Sequence, residues 1–130
     1  MRKQLLALAA ILLLSTAISQ AQTTIKFAVN IKPLLEDSVF VPPLDYVELS
    51  GDQYPLGQYK YLRMRDEEPV DSVYSVEVTF PRRLLNRQLS YNFILRRPEQ
   101  GDMFESMPRN LLIRGNDVAI DTLYFDAFAW

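Results

Sequence analysis

Carboxylates are the reactive side chains this sequence has in number: sixteen Asp and Glu, with no His and no Cys in 130 residues. The commonest general base, zinc ligand and activator of a hydrolase nucleophile is therefore missing. Glycoside hydrolysis needs only two carboxylates flanking one bond. Glu48, Glu77 and Glu105, however, fall on three separate expected strands, and no spacing marks a pair. Glu67 and Glu68 offer oxygen ligands side by side, but the alternating positions around a glycine turn that calcium loops use are not there, so DEEPVDS reads as a solvated loop. Arg82, Arg83 and Arg87 form a basic connector with no aromatic interleaved in sequence, which also reads as solvated. The expectation is a chain that is not an enzyme and holds no metal or cofactor.

Charge narrows the partners further. Fourteen Lys and Arg against sixteen acids leave a net charge of −2, without the basic excess that a phosphate-binding surface requires, so nucleic acid is not expected. Arg2 and Lys3 precede the apolar run Leu5–Leu14, and small residues at Ser19 and Ala21 follow. This order reads as a secretory signal peptide over residues 1–21, because the run breaks before the ~20 apolar residues of a membrane span. The expectation is a single exported domain over 22–130, periplasmic or extracellular, with no membrane span once the signal is cleaved. Lacking cysteine, such a domain gets no disulfide and depends on its core.

The elements that would position any site are strands. TTIKFAVN alternates Ile25, Phe27 and Val29 with polar or small residues, and VYSVEVTF sets Tyr74, Val76, Val78 and Phe80 on one face before Pro81 stops it. Further strands are expected at Tyr46–Ser50, Tyr59–Arg65, Tyr91–Arg96, Leu111–Ile113 and Val118–Phe128, with one short helical turn opened by Pro33. About seven short strands with one wet face each predict an all-β, antiparallel sandwich. Phe27, Val47, Leu49, Val76, Val78, Phe93 and Leu95 are its expected core.

The block SYNFILRRPEQGDMFESMPRNLLI, from Ser90 to Ile113, runs from an aromatic strand through a polar turn to Phe104-Glu105 shortly before Pro108. With Ile25-Lys26-Phe27, the Gly51 and Pro55-Leu56-Gly57 turn, and the Tyr74–Pro81 strand in the same order, it resembles the starch-binding domains of carbohydrate-binding module family 20. The resemblance covers nearly all of 22–130 and implies an immunoglobulin-like β-sandwich. It also implies a platform of two aromatics and a lysine, because the apolar face of a pyranose packs on an aromatic plane while its hydroxyls take hydrogen bonds at the rim. The platform aromatics fall on Tyr74 and Phe104, the lysine on Asn92, and the asparagine of the next turn on Arg109, with Asn110 beside it; Glu105 keeps the family's acid. Tyr59 stands where the family has a tryptophan, and is expected to pack in or near the core.

Two functions compete on this reading. One is a non-catalytic module that binds a starch-like polysaccharide or oligosaccharide through Tyr74, Asn92, Phe104, Glu105, Arg109 and Asn110. The other is a protein-interaction or structural sandwich that has lost the sugar, with Phe104 in the core and Glu105 paired to Arg109. A third, an outer-membrane barrel, draws on the alternating aromatic ending up to Trp130, but the chain is short for eight crossing strands of ~10 residues.

Overall fold

The computed structural model describes residues 22–128, so the expected signal peptide lies outside the described residues. In chain order the elements are β1 (Thr23–Asn30), α1 (Lys32–Glu36), β2 (Tyr46–Gly51), β3 (Leu62–Met64), β4 (Val73–Phe80), a 3-10 turn (Arg82–Leu84), β5 (Gln88–Arg96), β6 (Met103–Phe104), β7 (Arg109–Leu112), β8 (Val118–Ala119) and β9 (Leu123–Tyr124). They form two sheets. The first has the order β4-β1-β8, with β9 also on β1; the second has β3-β2-β5-β6, with β7 also on β5.

The clean alternation of two segments makes the first sheet. β1 and β4 pair antiparallel from Thr23 opposite Phe80 to Asn30 opposite Val73. Ile25, Phe27, Val29, Val78 and Phe80 point inward and are buried. β2 and β5 do the same in the second sheet, where Val47, Leu49, Leu89, Tyr91, Phe93 and Leu95 are buried on one face. The two inner faces close one apolar core, joined by Ile31, Phe40, Leu56, Met64 and Ile113. Of the expected core residues, Val76 alone is only partly buried. An apolar interior between two open sheets is the build of a sandwich, not of a membrane barrel with a polar lumen. Among the described residues no helix is long and apolar enough to cross a membrane.

Several strands depart from expectation: β6 is an addition, and β7 runs Arg109–Leu112 where Leu111–Ile113 is expected. Only Leu62–Met64 of the Tyr59–Arg65 segment joins a sheet, because Gly57 (φ 103°), Gln58 (φ 46°) and Tyr59 (φ 70°) make a tight turn closed by the Lys60 N–H on the Gly57 carbonyl. The Val118–Phe128 segment gives two two-residue strands, and both lie parallel to β1 instead of antiparallel. They follow the free edge of β1, opposite the edge that β4 occupies. β5 begins earlier than expected, at Gln88, since its first residues find a partner in β7.

Candidate functional site on the outer face of the second sheet

Strand alternation sends every second residue of the second sheet away from the core. On β2 these are Tyr46, Glu48 and Ser50; on β5, Ser90, Asn92, Ile94 and Arg96. β6 adds Phe104 opposite Ile94, and β7 adds Asn110 opposite Ser90. Ile94 is only 3% exposed although it faces outward, lying between Glu48 and Phe104 on the neighbouring strands. Phe104 sits above that floor and is 62% exposed.

Arg96 organises this face. Its Nε donates to Glu48 and its Nη1 donates to Asp102 Oδ2 at 2.9 Å. So held, the guanidinium lies 4.9 Å from the Tyr61 ring centre and 5.8 Å from that of Phe104. Hydrogen bonding to Glu48 raises the Arg96 pKa still further above its high ordinary value. The Arg97 N–H, and then Arg96, hold the Asp102 carboxyl below its usual range. The cation is thus permanent and balanced by two carboxylates, so the middle of the face is an aromatic surface of little net charge with a fixed donor between its rings. At the far margin Arg63 stacks on Tyr46 at 4.4 Å.

The six residues proposed from sequence separate into three groups. Phe104, Asn92 and Asn110 belong to this outer face, with the Asn92 amide donating to the Met107 carbonyl at 2.6 Å. Glu105 and Arg109 lie on the inner side: the Glu105 side chain is 0% exposed, and Arg109 Nη2 donates to Glu105 Oε2 at 2.7 Å. Glu105 also accepts the N–H groups of Phe93 and Asp126, and Arg109 donates to the carbonyls of Tyr124 and Ala127. With its guanidinium between the rings of Phe93 and Phe128, this pair ties the C-terminal segment to the second sheet and presents no group to a ligand. Tyr74 is on β4 in the other sheet, facing inward beside Val76 and Val78 and edge-on to Phe40 at 5.7 Å. Burial, and then Asp66, push its hydroxyl pKa up. Tyr74 therefore shares no surface with Phe104, so the structure does not bring the expected pair together; the exposed aromatic that shares the Arg96 guanidinium with Phe104 is Tyr61.

Tyr61 and Arg96 were not singled out from sequence. Their signal is parity: Tyr61 alternates with Leu62, and Arg96 with Leu95, but only the folded chain shows that Arg96 approaches both the Tyr61 and the Phe104 ring. Tyr59 also departs from expectation. It is 89% exposed, at the tip of the Gly57–Lys60 turn, and not in the core.

No family model matches the chain, and no curated protein matches it. Solved structures do. A glycoside hydrolase family 15 glucoamylase from Hypocrea jecorina superposes with a TM-score of 0.61 at 10% identity, over 82% of this chain and 18% of the glucoamylase. A γ-CGTase from alkalophilic Bacillus clarkii superposes with a TM-score of 0.57 at 17% identity, over 82% of this chain and 15% of the other. The chain thus spans less than a fifth of either enzyme's length and shares with each the fold of one β-sandwich portion.

Proposed function

We propose that this chain is an exported, non-catalytic carbohydrate-binding module that stacks a glucan-like chain on Phe104 and Tyr61. The observation that carries the reading is a phenylalanine left 62% exposed and a tyrosine 41% exposed, both approached by the same Arg96 guanidinium. Exposed aromatics with polar groups at the rim are what a pyranose ring stacks on, and here Asn110 supplies a rim amide, whereas the Asn92 NH₂ is committed to Met107 and Glu105. The structural neighbours support this in a general way, since both are named as carbohydrate-active enzymes. A protein-interaction module is the second reading, favoured by the exposure of Met107, Tyr124, Val41 and Leu44.

The test is retention of the chain on insoluble starch and other polysaccharides, repeated with Phe104→Ala. Stacking losses of about 1 kcal/mol should weaken retention several-fold while the melting temperature barely moves, because an exposed ring contributes little to folding. Retention unchanged by the substitution, or no retention on any polysaccharide, overturns the reading in favour of a protein partner. A large fall in melting temperature would place Phe104 in the folding core and overturn its role as a platform.

A further inference from the structure

The basic connector and the glycine turn meet at one end of the second sheet. Tyr54, 55% exposed, has the Lys60 ammonium 5.7 Å and the Arg83 guanidinium 5.5 Å from its ring centre. The aromatic that the Arg82–Arg87 stretch lacks in sequence is thus supplied by the turn thirty residues earlier. Lys60 and Arg83 are exposed, as are their neighbours Arg82 and Arg87, and none of the four makes an ion pair among the described residues. Their situation is opposite to that of Arg96, whose charge is balanced by Glu48 and Asp102.

Two unpaired cations at one ring add to the positive potential around it, which favours an anionic group there. An adjoining groove of about 540 Å³ is lined by Tyr54, Pro55, Leu56, Gln58 and Lys60, while Arg83 stands outside that lining, beside the Tyr54 ring. Asp52, the one carboxylate on that lining, has Oδ1 occupied by the Ser90 N–H at 2.9 Å.

We propose that Lys60 and Arg83, held by Tyr54, bind an anionic group on a glycan, so that the module prefers an acidic polysaccharide to a neutral one. The inference rests on the sugar-binding reading of the outer face and adds the charge class of the ligand. The anionic group is the carboxylate of a uronate or a sulfate ester, both of which a lysine and an arginine bind through charge-assisted hydrogen bonds.

The test is affinity electrophoresis or calorimetry of the whole chain against amylose, polygalacturonate and dextran sulfate at low and moderate salt. Polygalacturonate or dextran sulfate should bind more tightly than amylose, and the better of the two identifies the anionic group. Lys60→Gln and Arg83→Gln should each weaken that binding about fivefold, leave amylose binding unchanged and preserve the melting curve. Lys26→Gln, which removes the same charge from the other sheet, should change nothing. Equal affinity for amylose and both polyanions overturns the proposal, and so does an equal loss from Lys26→Gln, which would mark the attraction as unspecific. Phe104→Ala weakens every glycan if the aromatic face binds sugar. Binding of amylose lost with Phe104→Ala, but with no preference for polyanions, would retain the module and remove only its charge class.

Discussion

Glu105 and Phe104 are adjacent, yet alternation gives them opposite fates. The Glu105 carboxylate receives the Arg109 guanidinium, two backbone N–H groups and the Asn92 amide, all with its side chain fully buried. Glu105→Gln would leave Arg109 without its counter-charge and place an NH₂ group where an oxygen accepts N–H groups. The expected loss is about 3–5 kcal/mol from a total of about 5–15 kcal/mol, measured by denaturant unfolding. A loss below about 1 kcal/mol would show that the C-terminal segment is held by other contacts. Phe104→Ala should do the reverse, sparing stability and weakening glycan retention. The identity of both residues is plain in FESMPRN, but the sequence cannot say which one faces a ligand, since that depends on which face of β6 the second sheet covers.

At the scale of elements, β1 and β4 show alternation at its most legible, with the observed bounds equal to the stretches read from sequence. Period two over eight residues leaves only one way to bury Ile25, Phe27 and Val29 against Val78 and Phe80. Val78→Asp should therefore unfold the domain, since an unpaired charge in this core costs several kcal/mol. Loss of the β-type circular dichroism and of the cooperative melting transition is the expected result; a cooperative transition within a few degrees of wild type would contradict the packing. The C-terminal segment was less legible for a physical reason. β8 and β9 are two residues each, only Leu123 among them packs against the core, and their pairing uses backbone groups of β1 that any sequence could meet.

For the molecule as a whole, the core carries its own response to alkali. Tyr91 lies between Phe27 and Phe93, edge-on to both, and its burial, more than the nearby charges, raises its pKa above the ordinary 10.0. Tyrosine is neutral when protonated, so the folded state favours the protonated form more than the unfolded state does. The stabilisation is complete below pH 10.0 and is lost as the pH rises through the folded value. Melting temperature should thus fall with rising pH in that range, with Tyr74 acting in the same direction; Tyr91→Phe should flatten the fall, and an unchanged slope would mean that other groups govern it. The sequence alone determined the all-β class, the long strands and most of the core, because alternation and turn chemistry act between near neighbours and are written locally. Only the tertiary structure decided the layout of the candidate site: it set Tyr74 in the opposite sheet, lifted Tyr59 to a turn tip, placed Arg96 near both Tyr61 and Phe104, and brought Tyr54 to Arg83. Those meetings depend on strand order and loop path, and no local period encodes them.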